Sequence, residues 1–145
     1  MNFDYDLFEL PSVDLPLTFG KGANEKVPLS SGLNWGQRPG REQNQAYISV
    51  PVEIQKSDFF PDKGIHFLIT TDDGVQWECA RRQANGKAIH SINNNSLIGS
   101  YFRNRLGIEL GDLVTISHLL KYGKTKLTIY KKSKYSFFLD FRPNL

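Results

Sequence analysis

Residues 81–105 carry five basic side chains, Arg81, Arg82, Lys87, Arg103 and Arg105, and no acidic one. They frame an amide-rich run of Gln83, Asn85, Asn93, Asn94 and Asn95. Residues 34–47 have the same character, with Asn34, Trp35, Gln37, Arg38, Arg41, Gln43, Asn44, Gln45 and Tyr47. Arg, Asn and Gln read base edges through paired hydrogen bonds, while Lys and Arg hold phosphates. Two such segments on one small basic chain point to a clamp on duplex DNA. The expected base readers are Arg38, Arg41, Gln43 and Asn44 in the first segment and Arg81, Asn85, Lys87 and Asn94 in the second. Arg82, His90 and Arg103 are expected on phosphates, and Trp35, Gln37, Gln45, Tyr47, Gln83 and Asn93 complete the expected contact set.

Each segment also has a plainer reading. Residues 34–47 can be a solvated loop, and residues 81–96 a basic strand edge that resists aggregation. Trp35 must dock on the domain or meet a ligand, and docking is the expectation. Some asparagines serve turns and caps, Asn95 first among them. His90 is either a packed side chain or a phosphate donor. Arg103 and Arg105 can simply form the wet face of a helix.

Catalytic patterns are missing. A His-x-Lys pair needs Lys two residues after a histidine, but Leu68, Ile92 and Leu120 stand there. An acid followed by acid-x-Lys fails at Asp62 and Glu78, because Arg81 is three residues past Glu78. Asp72-Asp73 fits a hairpin turn better than a metal. No phosphate-binding glycine fingerprint appears, and no cofactor or metal is expected.

The composition sets the frame for these segments. The chain has 145 residues, which suits one domain, and 39% hydrophobic residues with ten Phe supply a core. A net charge of +3 is mild, but its distribution is uneven: Asp4, Asp6, Glu9 and Asp14 lie together near the start. A lone Cys79 forms no internal disulfide and reads as a packing thiol. No apolar run approaches the ~20 residues of a membrane span, and no signal peptide is visible. A reducing, cytoplasmic setting, no membrane and a monomeric domain are expected.

The elements that must position the two segments are mostly strands. Residues 1–31 read as a linker or N-terminal wrap, with Leu15, Leu17 and Phe19 alternating as in a short strand; residues 32–145 read as the domain. Tyr47 to Val52 opens a strand, and Ser57–Pro61 reads as a helical turn. His66–Thr71 and Val75–Ala80 form a hairpin through Asp72-Asp73-Gly74. A short strand is expected at Ala88–Ser91, and an amphipathic helix at 97–106 stopped by Gly107. Leu113 to Ile116, Lys126–Lys131 and Tyr135–Phe141 read as further strands. The sum is a mostly β, seven-stranded open barrel with two short helices.

Several blocks resemble the C-terminal part of NgoFVII-type restriction endonucleases. They are Gly32-Leu33-Asn34-Trp35-Gly36-Gln37-Arg38, Gly40-Arg41-Glu42-Gln43-Asn44-Gln45-Ala46-Tyr47-Ile48, Asn85-Gly86-Lys87-Ala88-Ile89-His90, Asn94-Asn95-Ser96-Leu97 and Tyr101-Phe102-Arg103-Asn104-Arg105-Leu106-Gly107. They run in order from about Gly32 to Phe141. The resemblance implies a B3-type DNA-binding pseudobarrel, as also seen in plant transcription factors, with two arms gripping the major groove. Residues 34–47 then correspond to the N-terminal arm and residues 81–96 to the C-terminal arm. The family pairs this domain with a phospholipase-D-like nuclease domain, whose motif has no counterpart in this chain. The implied function is sequence-specific binding of double-stranded DNA. The alternatives are a protein-interaction module or a complete small nuclease.

Overall fold

The computed structural model describes residues 7–143. Seven strands form one sheet: β1 (Ser12–Pro16), β2 (Ile48–Ser49), β3 (Phe67–Thr71), β4 (Gln76–Arg82), β5 (Ala88–Ser91), β6 (Lys126–Ser133) and β7 (Ser136–Asp140). Their spatial order is β1-β6-β7-β3-β4-β5-β2. Neighbours are antiparallel except β3 and β7, which run parallel. The outermost strands β1 and β2 approach each other, so the sheet curls into a nearly closed barrel. This is the expected pseudobarrel. Its first strand lies inside the segment read as linker, with Leu15 fully buried and Phe19 half exposed.

The hairpin of β3 and β4 shows how the core is built. Phe67, Ile69 and Thr71 on one strand and Trp77, Cys79 and Arg81 on the other point inward by the period of two. Burial pushes the Cys79 thiol up, as suits a packing residue. Phe60, Phe67 and Phe137 pack ring to ring beneath the sheet. Each such fully buried side chain contributes about 1.5–3 kcal/mol. At the turn, Asp73 accepts the Thr71 hydroxyl and Gly74 takes φ 84°. Asp72 instead faces the protein, where it accepts the Tyr101 hydroxyl and the Phe141 N–H, both at 2.7 Å, and pairs with Arg105.

Helices close the barrel. The helix α1 (Val52–Gln55) starts right after Pro51, one turn earlier than the helical turn expected at 57–61. Ser57 ends it, its hydroxyl donating to the Ile54 carbonyl at 2.8 Å. The helix α2 (Leu97–Leu106) matches expectation, with Gly107 in the left-handed conformation as its stop. A third helix, α3 (Ile116–Tyr122), starts where a strand was expected over 113–116. Thr115 caps it in a reciprocal box, its N–H donating to His118 Nδ1 at 3.0 Å, and this local capping overrides the β-branched run. Among the described residues, no helix is long and apolar enough to cross a membrane.

Candidate nucleic-acid interface

The first polar segment ends the connection between β1 and β2, the second runs from the end of β4 through β5 to the start of α2, and they meet on one face of the sheet. Outward positions on β4 and β5 pair as Ala80 with His90 and Arg82 with Ala88. The first arm covers this patch. Tyr47 stacks on His90 with centroids 5.3 Å apart, and Trp35 meets the same imidazole edge-on at 5.0 Å. The Arg41 guanidinium lies 3.6 Å from the Trp35 ring centroid. Trp35 therefore docks, as expected, and carries an arginine on its face.

His90 is the pivot of this contact. It is 7% exposed, so it is a packed side chain rather than the phosphate donor expected. Burial, then the charges of Arg82 and Arg41, pull its pKa down to about 4. The imidazole is neutral at pH 7, and its Nε2 lies 3.1 Å from the Gln83 amide nitrogen. An amide nitrogen only donates, so Nε2 accepts.

The first arm is held to the helix α2 by its one acid. Glu42 accepts the Ser96 hydroxyl, the Asn44 N–H at 2.9 Å and the Asn44 amide at 3.0 Å. The Ser96 bond leads in drawing the Glu42 pKa below the usual carboxylate value. Asn44 also accepts the Gly111 N–H at 2.7 Å, so both ends of its amide are engaged internally. Gln37 donates to the carbonyls of Gly111 at 3.0 Å and Gln43 at 3.2 Å. Gly99 makes the approach possible, because a Cβ there would stand 1.8 Å from the Asn44 carbonyl oxygen. Buried Asn34 ties the arm's root to Val114 through both its backbone groups, each at 2.8 Å. Arg38, Arg41 and Gln43 stay exposed. Arg38 donates to the Ser30 carbonyl at 2.7 Å, and Arg41 to the Gln45 amide oxygen at 3.0 Å.

The second arm winds around a buried arginine. Arg81 is 4% exposed and donates to four carbonyls: Gly86 at 2.9 Å, Asn85 at 3.1 Å, Gln55 at 3.2 Å and Pro61 at 3.3 Å. The expected base reader is therefore turned into the barrel end. Gln83 takes φ 68° and ψ 178°, a region that costs a residue with a side chain about 1–3 kcal/mol. Asn85 sits at φ 60°, which asparagine tolerates. Arg82, Asn85 and Lys87 are exposed, as is Asn93. Exposed Asn94 is a helix-entry residue, its side-chain oxygen accepting the Ser96 N–H at 2.9 Å, the role expected of Asn95.

Arg103 corrects a further expectation. It is fully buried and donates to the carbonyls of Asp112 at 2.8 Å, Gly99 at 3.2 Å and Leu33 at 3.4 Å. It lies on the helix's inner face, away from solvent and from any phosphate. Arg105 is tied to Asp72. Glu42, absent from the expected contact set, is the anchor of the first arm.

No curated protein matches this chain. The model of one family, the NgoFVII C-terminal B3-like DNA-binding domain, matches residues 9–133. That span takes in β1, both arms, the helices α1 to α3 and every strand through β6, and so the chain belongs to the NgoFVII C-terminal B3-like DNA-binding domain family.

Proposed function

We propose that the chain reads double-stranded DNA sequence-specifically, with both arms in the major groove, as the target-recognition domain of a restriction endonuclease. The observation that carries this reading is the docking of the first arm on the second: Tyr47 stacks on His90, Arg41 lies on the Trp35 ring, and Arg82 stands exposed on the outward face of β4. Arg41, held on the Trp35 ring, suits a bidentate contact to guanine O6 and N7, and exposed Arg82 suits a phosphate. Exposed Arg38 and Gln43 extend the first arm, and Asn85, Lys87 and Asn93 the second. Asn44, Gln37, Arg81, His90, Asn94 and Arg103 act in this reading as scaffold, since their polar groups are engaged within the protein. Trp35 and Tyr47 hold the arms in register. Strand cleavage falls to a separate nuclease domain of phospholipase-D type, and the isolated domain works as a monomer in a cytoplasmic setting.

The test is selection of bound duplexes from a random pool by the purified chain. Enrichment of one short motif is expected. Recovery of duplexes without any enriched motif, at an affinity equal to that for the input pool, contradicts the reading.

A further inference from the structure

We infer that Arg81 is a positioning residue for base reading: its guanidinium fixes the shape of the loop 83–87, so that Arg82, Asn85 and Lys87 face the duplex, and it touches no base itself. This rests on the duplex reading proposed above and assigns a role within it. The strand period sets the arrangement. Trp77, Cys79 and Arg81 point inward, so Arg82 points outward. At the barrel end the inward guanidinium donates to four carbonyls. Two of these belong to the loop, at Asn85 and Gly86, and two to the segment after β2, at Gln55 and Pro61. The loop is thereby fastened to the wall behind it.

The loop needs such a fastening. Gln83, Asn85 and Gly86 all have positive φ, and only the last is a glycine. Left alone, a loop of this kind relaxes to commoner backbone conformations. Its entry is held by the Gln83 amide on His90, which the first arm covers. Its exit is held by the Val50 N–H donating to the Lys87 carbonyl at 2.8 Å. Between these ends, the bonds from Arg81 fix the turn itself. The packing is close, because a Cβ on Gly86 would lie 2.9 Å from Arg81 Nε. A planar fork reaches these carbonyls together, whereas a lysine ammonium has neither the reach nor the fork. The cost of ordering the loop is met on folding rather than on binding, which favours tight and selective readout.

The experiment compares wild type, Arg81→Lys and Gly86→Ala. Gly86→Ala disturbs the same contact from the loop side, by crowding the guanidinium and by placing a Cβ at φ 64°. The first readout is hydrogen exchange at residues 82–87 in the free proteins, with a thermal melt alongside. The second is affinity for the selected duplex, for every single-base variant of it and for scrambled duplex. Both variants are expected to speed exchange at 82–87 and to lower affinity for the selected duplex about tenfold or more, while affinity for scrambled duplex changes less than about twofold. The loss should reduce discrimination at every base position read by the second arm, with the same base preferred at each. Discrimination at positions read by the first arm should persist. Loss of preference at one base position alone, with the rest unchanged, would make Arg81 a direct reader and overturn the inference. So would unchanged exchange at 82–87 in both variants, a result that stands whether or not wild type reads sequence.

Discussion

Tyr47 and His90 stack with their planes 7° apart, and this contact joins the two polar arms into one surface. Tyr47 ends the first arm and His90 lies on β5, within the second. The imidazole is neutral because the stack and Trp35 exclude water from it, with the nearby arginines adding to the effect. Its neutrality in turn lets it accept from Gln83. Packing, protonation state and loop position are therefore one relationship.

That relationship predicts a pH dependence. The folded pKa of His90 lies at about 4, below the ordinary 6.5. Below pH 6.5 the unfolded chain takes up a proton that the folded chain refuses. His90 therefore contributes stability that is full above pH 6.5 and declines as the pH falls toward 4. The lost contribution amounts to at most about 3 kcal/mol. Urea unfolding of wild type and His90→Gln at pH 7.5, 5.5 and 4.5 measures it. The stability difference between the two should shrink toward acid pH; a constant difference contradicts the neutral, buried imidazole.

Asp72 and Asp73 are neighbours with unequal duties. Asp72 has a fully buried side chain bonded to Tyr101, Phe141 and Arg105, whereas Asp73 serves only its own turn in the bonds described. Removing one partner of a buried pair costs about 3–5 kcal/mol. Asp72→Ala should lower unfolding stability by that order, and Asp73→Ala by under about 1.5 kcal/mol, the worth of one ordinary hydrogen bond. Denaturant melts of both variants decide, and equal losses would contradict this assignment.

Gly99→Ala should be costly for one methyl group. Its Cβ would sit 1.8 Å from the Asn44 carbonyl oxygen and 2.8 Å from the Arg103 guanidinium. Overpacking of this kind costs about 1–3 kcal/mol. The helix and the first arm must part, so Trp35 fluorescence should shift along with the loss of stability. The shift is read against Trp77, which is buried in the barrel. A variant as stable as wild type, with the same emission, contradicts the close contact.

Arg41→Ala should lower affinity for a selected duplex by about 1–3 kcal/mol and relax preference at one base position. Folding should change by less than about 0.5 kcal/mol, as is usual for exposed positions. Competition binding with single-base variants of the duplex, plus a thermal melt, checks both halves. An unchanged preference at every position removes Arg41 from the reading surface.

Much of this architecture is legible in the residues, and the exceptions have physical reasons. Alternation along 66–71 and 75–80 gives the central hairpin directly. Carried one step further, the same alternation sets Arg81 on the inward face with Trp77 and Cys79, a step that charge alone argues against. Helical spacing likewise puts Arg103 one turn after Gly99, on the packed face of α2. Long-range carbonyl partners from Leu33, Asp112, Gln55 and Pro61 satisfy these two arginines, and no local pattern announces such partners. Thr115 to His118 lacks the usual glutamate of a capping box, so β-branched residues there read as a strand. Trp35 is the reverse case. A large aromatic among amides must be covered, and it is covered by Tyr47, His90 and Arg41.

Salt dependence of duplex binding tests the central claim most directly. Four exposed cations, Arg38, Arg41, Arg82 and Lys87, lie on the two arms, while Arg81 and Arg103 are buried. Each phosphate neutralised contributes about −0.9 to the log–log slope of affinity against salt. Binding of the selected and the scrambled duplex is measured from about 50 to 200 mM salt, the range over which counterion release is steep. The expected result is a slope of about −3 to −4 for the scrambled duplex, where all four cations are free to meet phosphates, and a shallower slope for the selected duplex, where Arg41 turns to a base, with the selected duplex tighter at every salt concentration. A flat affinity for the selected duplex, or identical curves for the two duplexes, would contradict a two-armed, sequence-reading clamp.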